Sequence, residues 1–305
     1  MAYGPTPLVS IITLHYNQLQ ATQEFLESSR FLTYPNYEII VCDMHSDYNP
    51  EREIINRNYQ NLRFYRSLDN LGFAGGNNWG LKKALGEFIL FINNDTILSA
   101  GLIENLIQPM LNDPLIAGVS PKIRYSDEPS VIQYAGFTRM NMITGRAFTI
   151  GEGEEDNGQH AVSGPTWAVH GCAMFVRRTA IERVGMFAEN FFLYYEEWDW
   201  SARVLRQGLR LWYAADALVY HKESASVGKV NPLKIYYHTR NRILFMRRNA
   251  SNTQFFLFLL FFSIISFPKS AIFLLIKGRF RELQLFIKAM LWNLGNSSIS
   301  PVFAA

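Results

Sequence analysis

Two stretches of this chain concentrate side chains that could do chemistry. The first is Asn93-Asn94-Asp95, which closes the apolar run Phe88-Ile89-Leu90-Phe91-Ile92. A carboxylate held at such a tip, with an amide two residues earlier, can share a hard divalent cation with a substrate phosphate. A polar turn closing a strand would use the same residue types. The second is Tyr194-Tyr195-Glu196-Glu197-Trp198-Asp199-Trp200, three carboxylates within four residues among aromatic rings. Desolvated, mutually repelling acids raise at least one pKa, which is what a general base needs. The competing reading is electrostatic: a helix pattern over 198–207 comes next, and acids at a helix N-terminus complement its dipole.

Both stretches need elements to position them. The bounded run 88–92 predicts a strand buried on both faces, and ligands gather at the carboxyl ends of strands in open α/β sheets. Residues 8–14 predict a first strand ending in His15-Tyr16-Asn17, with a helix after it over 19–30. A second strand over 37–42 ends in Asp43, giving a right-handed βαβ unit. Asp43 could accept from a base imide or a ribose hydroxyl, or cap the next helix. After a short strand over 62–66, Asn70-Leu71-Gly72-Phe73-Ala74-Gly75-Gly76-Asn77-Asn78-Trp79-Gly80 leads into a predicted helix over 81–85. Glycines ahead of a helix leave backbone N–H groups free for a phosphate, although the spacing is neither a Walker loop nor a dinucleotide fingerprint. A helix over 100–111 and strands over 116–120, 172–176 and 217–220 complete the pattern, with a helix over 179–184. The last strand ends in His221, with Ser224 and Ser226 beyond. Residues 124–165 show no firm periodicity and read as a long, partly mobile excursion on the substrate side.

A hydrophobic content of 49% with 18% charged residues marks a folded, core-forming chain of 305 residues. The cysteines, Cys42 and Cys172, sit far apart in apolar runs, which suggests neither a disulfide framework nor a zinc site and implies a reducing compartment. The N-terminus has no signal-peptide pattern, so the start of the chain is expected in the cytoplasm. Charge is asymmetric. Residues 222–305 carry 12 Lys or Arg against 2 acids, and the first 221 residues carry 17 against 24. A basic, apolar tail on an acidic body points to an anionic membrane surface rather than nucleic acid.

Taken together, these motifs resemble the inverting glycosyltransferases of family 2, in their rhamnosyltransferase-like and galactofuranosyltransferase-like branch. The resemblance runs from about residue 8 to 249. The strand ending in Asp43, with Ser46, is similar to the family's nucleotide-contacting strand, and Asn70 to Asn78 to its glycine-rich donor loop. Asn93-Asn94-Asp95 resembles the Asn-containing form of its Asp-X-Asp metal motif. Gly185-Met186-Phe187 through Glu196-Glu197-Trp198-Asp199 resembles the stretch holding the catalytic base, and His221 with Ser226 the distal metal segment. Tyr236-Tyr237-His238-Thr239-Arg240-Asn241 also has the family's look.

The resemblance implies a GT-A fold, a Rossmann-like α/β nucleotide half and an acceptor half on one mixed sheet. It implies a nucleoside-diphosphate sugar donor and Mg²⁺ or Mn²⁺. Implied donor contacts are Thr13, Tyr16, Asn17, Asp43, Ser46, Asn70, Gly72, Gly75, Gly76, Asn77, Asn78, Asn93 and Asn94. Asp95 and His221 are the implied metal ligands, and Glu197 stands at the base position, with Glu196 and Asp199 beside it. Met44 and Asp47-Tyr48 depart from the usual nucleotide strand, and Glu197 replaces the more usual Asp. The sugar is expected to be rhamnose from a thymidine-diphosphate donor, with galactofuranose second. A nucleotidyltransferase would want a basic loop after the first strand, which His15-Tyr16-Asn17-Gln18 does not offer. Intact acids at 95 and 196–199 argue against a non-catalytic sugar-nucleotide or lipid-binding protein.

The sequence divides into a glycosyltransferase domain over 1–249 and a helical tail over 250–305. Residues 255–267 are uncharged, then Pro268-Lys269-Ser270 interrupts before 271–276, short of the roughly 20 residues a spanning helix needs. Two helices in or dipping into the cytoplasmic leaflet are expected. A tilted span over 254–276 and a soluble dimerisation pair are the alternatives. A polyprenyl-linked glycan acceptor would explain such a tail.

Overall fold

Three apolar runs too short for helices, and a fourth strand carrying two arginines, pair in parallel to make one half of a ten-stranded sheet. The computed structural model describes residues 6–222 and 232–295, so Ser224 and Ser226 lie outside the described residues. The strands are β1 (Val9–His15), β2 (Tyr37–Asp43), β3 (Leu62–Arg66) and β4 (Phe88–Ile92), in the order β3-β2-β1-β4. Helices α1 (Leu19–Ser29), α2 (Glu51–Ile55) and α3 (Gly72–Leu81) make the crossovers. Chain order reverses beside β1, and the crevice at the tips of β1 and β4 is where such sheets bind ligands.

Beyond β4 the sheet becomes mixed, through β5 (Thr96–Leu98), α4 (Leu102–Asn112), β6 (Ile116–Tyr125), β7 (Ile132–Tyr134), β8 (Gly164–Pro165), β9 (Ala173–Arg177), α5 (Arg178–Val184), α6 (Glu196–Arg206) and β10 (Arg210–His221). β9 lies antiparallel to both β4 and β6, β10 runs parallel to β6, and β5 pairs antiparallel with β10. That last pairing sets Thr96 opposite His221 and so brings Asp95 to the end of β10.

Neighbouring residues of each central strand feed opposite cores. Ile11, Ile39 and Leu90 face α1 and α4, while Ile12, Ile40 and Ile89 face α3 and α6. This two-sided burial is why the runs show no alternation.

The structure corrects the expectation for the glycine-rich segment. It is itself helical, as α3, and the helix expected over 81–85 is only its end. A Cβ on Gly76 would lie 2.7 Å from Met44 Sδ and one on Gly80 2.7 Å from Ile12 Cγ2, so these glycines allow the helix onto β1 and β2. Close packing outweighs poor helix propensity. Residues 124–165 are also folded rather than loose. Asp156, hydrogen-bonded by Lys122 at 2.9 Å and Arg124 Nε at 3.0 Å, pins them to β6.

After α7 (Pro232–Asn249) come α8 (Asn252–Phe261), a π-turn over Phe262–Ser266 and α9 (Phe267–Ile276), a continuous helix through Pro268. The wider turn accommodates the amide that proline lacks. The break falls instead at 277–279, before α10 (Phe280–Gly295). Among the described residues, Asn252–Ile276 is the one helix long and apolar enough to cross a membrane, with mean hydropathy 2.1. α10 returns onto α7, where Asn293 Nδ2 donates to Arg240 O at 3.0 Å and Arg247 donates to Asn293 O at 2.7 Å.

Candidate active site

Asp95 and His221 meet because β5 and β10 pair antiparallel. Asp95 Oδ1 lies 3.1 Å from His221 Nε2, both side chains are buried, and Asn93 Nδ2 is 3.4 Å from the same nitrogen. His221 Nδ1 sits 2.8 Å from Gln133 Oε1, which can only accept, so Nδ1 carries the hydrogen and Nε2 turns towards Asp95. Two acceptors then face each other, and Asp95 Oδ1 has no hydrogen-bond donor. A proton or a cation resolves that contact. Burial alone would lower the His221 pKa, but Cys172 and the Asp95 carboxylate outweigh it and hold the imidazolium well above its ordinary value. A carboxylate beside an imidazole can hold a divalent cation such as Mn²⁺, with Asn93 turning its amide nitrogen, a donor, towards the pair. Among the described residues no cluster of three His, Cys, Asp or Glu side chains forms, leaving further positions to phosphate oxygens and water.

The turn at 170–172 separates this pair from the acids. Cys172 O accepts from Asn93 N at 2.9 Å, and a Cβ on Gly171 would sit 3.8 Å from Glu197 Cδ. α6 starts two residues earlier than its sequence pattern, so Glu196, Glu197 and Asp199 all lie in its first turn. Glu197 is partly exposed as a residue, yet its Oε2 is shut off from solvent and unpartnered. Burial pushes its pKa up to about 7, and burial together with the neighbouring Glu197 pushes Glu196 well up as well. Asp199 behaves oppositely. Burial would raise it, but bonds from Arg248 Nε at 2.9 Å, Arg203 Nε at 3.0 Å and Asn249 Nδ2 at 3.0 Å hold it low. Asp199 therefore joins α6 to α7, its oxygens engaged by Arg248, Arg203 and Asn249. Glu196 and Glu197 are the two acids whose pKa burial raises.

The backbone before Glu197 is strained. Phe192, Tyr194 and Tyr195 have φ of 63°, 70° and 74°, a region costly for residues with a Cβ. Asn241 on α7 holds it there, its Nδ2 lying 2.9, 2.7 and 2.8 Å from the carbonyls of Phe191, Leu193 and Tyr194. Arg240 donates to Asn190 O at 2.8 Å and also to Phe191 O.

The same loop takes up the donors expected to cradle phosphate. Phe73 N and Ala74 N, at the start of α3, donate to Phe192 O at 2.6 and 3.2 Å. Asn70 Oδ1 accepts from Gly72 N at 2.9 Å, and an L side chain at Gly72, with φ 67°, would strike Phe192. Gly75, Gly76, Asn77 and Asn78 are buried. Asn77 donates to Phe73 O, and Asn78 ties α3 to Phe187 through bonds of 2.9 and 3.0 Å. This segment builds the site's wall instead of offering a free phosphate nest.

At the other strand tips Asp43 is buried, bonded by Ser46 Oγ at 2.5 Å and 3.4 Å from Arg66 Nη1. Ser46 Oγ accepts from Asn17 N at 2.9 Å, so Asp43, Ser46 and Asn17 form one network beside exposed Tyr16. Thr13 is fully buried with an unpartnered Oγ1. Asn94 donates to Thr22 Oγ1 at 2.8 Å, which also meets His15 Nδ1 at 2.7 Å. Asn94 thus braces the turn from below.

Comparison with known proteins now identifies the lineage of this arrangement: residues 10–185 match the model of Glycosyl transferase family 2. The chain belongs to that family. This family 2 chain is 27% identical over 229 residues to the O-antigen biosynthesis protein RfbC of Myxococcus xanthus, covering 72% of the chain but only 18% of RfbC. It is 23% identical over 276 residues to the N-acetylglucosaminyl-diphospho-decaprenol L-rhamnosyltransferase of Mycobacterium tuberculosis, covering 79% of the chain and 84% of that relative. Among solved structures it resembles the mannosyltransferase PcManGT of Pyrobaculum calidifontis in complex with GDP-Man and Mn²⁺. The TM-score there is 0.58 at 17% identity, over 98% of this chain and 77% of the other. The fold of this family 2 glycosyltransferase is therefore GT-A.

Sequence reasoning missed Gln133 and Thr22, which position His221 and Asn94. Gln133 lies in the stretch without periodicity, and Thr22 is an ordinary helix residue by its letters. Nothing local distinguishes either.

Proposed function

We propose that the protein is an inverting, metal-dependent transferase. It would move a sugar, first rhamnose and second galactofuranose, from a nucleoside-diphosphate donor to a lipid-linked cell-envelope glycan. The observation that carries this reading is the pairing of Asp95 and His221 on one side of the 170–172 turn with Glu197 on the other. A divalent cation held by Asp95 and His221, with Asn93 beside it, would neutralise charge developing on the departing diphosphate. Glu197, its Oε2 without a partner and its pKa pushed up to about 7 by burial, takes the proton of the acceptor hydroxyl as that hydroxyl attacks the anomeric carbon. With Glu196 raised by burial and by the neighbouring Glu197, and Asp199 held by Arg203 and Arg248, Glu197 is the preferred base. The nucleotide lies along Tyr16, Asn17 and the Asp43–Ser46 network.

The tail supports a monotopic placement at the cytoplasmic membrane face. Arg242 on α7 reaches Ser266 at 3.2 Å and lies over the rings of Phe258 and Phe262 at 5.6 and 5.5 Å. With α10 also fastened to α7, an upright α8–α9 would carry the Lys and Arg residues of α7 into hydrocarbon. The long helix instead lies in the leaflet, presenting exposed Phe256, Ile264, Ile272 and Ile276. Residues 1–249 remain the chemical unit and 250–305 the anchoring one. A screen of nucleoside-diphosphate sugars, reading released nucleoside diphosphate with Mn²⁺ or Mg²⁺ varied, tests the proposal. Release from no donor in the presence of a lipid-linked acceptor would refute it.

A further inference from the structure

We infer that a groove between the start of α7 and the outer face of α10 binds the diphosphate of an isoprenoid-linked acceptor. The inference rests on the lipid-linked transfer proposed above and adds the place where the acceptor's charge is held. The groove encloses about 590 Å³ and is lined by Pro232, Leu233, Arg281, Gln284, Leu285 and Lys288. Arg281, Gln284 and Lys288 recur at helical spacing on one face of α10, so two cations and an amide face one space. Among the described residues no carboxylate lines it and neither cation forms an ion pair, whereas neighbouring Arg279 is paired with Glu282 at 3.0 Å. Unpaired cations over a cavity suit a polyanion of several phosphate oxygens.

Two features select a lipid diphosphate over a free one. Exposed Phe280, Ile287 and Leu291 stand beside the groove residues on α10, a surface for an isoprenoid chain. α7 also runs from the groove to the loop that precedes the base. Tyr237 stacks on Phe192 with centroids 5.3 Å apart, and His238 stacks on Tyr194 at 4.3 Å. From Leu233 to these rings is four or five residues, roughly 7 Å of helix rise. The glycan of an acceptor whose diphosphate sits in the groove would run along α7 towards the loop that precedes Glu197.

The test compares the wild-type chain, Arg281→Gln/Lys288→Gln and a charge-matched control, Lys269→Gln/Lys277→Gln, whose residues are exposed and outside the groove. Binding is measured on phosphatidylcholine vesicles doped with undecaprenyl diphosphate, and on phosphatidylcholine–phosphatidylglycerol vesicles of equal charge. The groove pair should weaken binding to the diphosphate vesicles by about 30-fold, with the control changed far less. On phosphatidylglycerol both pairs should weaken binding equally. Equal losses on the diphosphate vesicles, or none, would overturn the inference and leave general attraction to anionic lipid. Transfer to a soluble sugar acceptor lacking diphosphate should survive in the groove variant. If wild type binds diphosphate vesicles but transfers no sugar to any acceptor, the functional reading fails while the groove stands.

Discussion

Replacing Glu197 by Gln should stabilise the protein above neutral pH while removing sugar transfer. Its folded pKa of about 7 lies above the ordinary 4.5, so folding favours the protonated acid. That contribution is fully present below about pH 4.5 and is lost as pH rises through 7. At 1.36 kcal/mol per pKa unit the loss is at most about 3 kcal/mol, and partial exposure of the residue brings it nearer about 2 kcal/mol. Gln keeps the size and hydrogen bonding without the charge. Urea denaturation of variant and wild type, in one detergent, should show a gap near zero at pH 4.5 that widens to about 2 kcal/mol by pH 8. Transfer should fall roughly 10²–10⁴-fold with donor affinity unchanged. Wild-type kcat/KM should rise with pH to half its plateau near the pKa of about 7. A stability gap independent of pH, or near-normal transfer by Glu197→Gln beside a dead but folded Asp199→Asn, would refute the assignment.

Asp95→Ala and His221→Ala should each abolish metal-dependent donor binding, read by calorimetry with nucleoside diphosphate and Mn²⁺, while circular dichroism stays unchanged. Asn241→Ala takes the side-chain donor from Leu193 O and Tyr194 O, Phe191 O keeping Arg240, and should cost about 2–4 kcal/mol in urea. Its transfer rate should fall more than its donor affinity, because the loop positions Glu197. Changing Phe256, Ile264, Ile272 and Ile276 together to Ser should move the protein to the soluble fraction with donor hydrolysis retained.

The centre of the parallel half was legible because β1, β2 and β4 are buried on both faces and end in polar tips. The run Phe88–Ile92 before Asn93-Asn94-Asp95 marks both the strand and its chemistry. The glycine-rich segment misled for a physical reason. Glycines that free a backbone for phosphate and glycines that let a helix approach a sheet look alike until Gly76 is seen against Met44 and Leu14. Pro268 misled because a π-turn five residues long, invisible in the letters, absorbs it. The role of Asp199 depended on Arg248, 49 residues away, and that of His221 on Gln133, 88 residues away. Such pairings are set by the packing of α7 and β7 and leave no local pattern.

The stereochemistry of transfer decides whether Glu197 acts as a base in a single displacement. With Glu197 acting as a base and no carboxylate acting as nucleophile, transfer is a single displacement. Nuclear magnetic resonance of the product formed with the accepted donor and Mn²⁺ should show the anomeric configuration opposite to that in the donor. Retention of the donor's configuration would require a nucleophile or a different path, and would contradict the account.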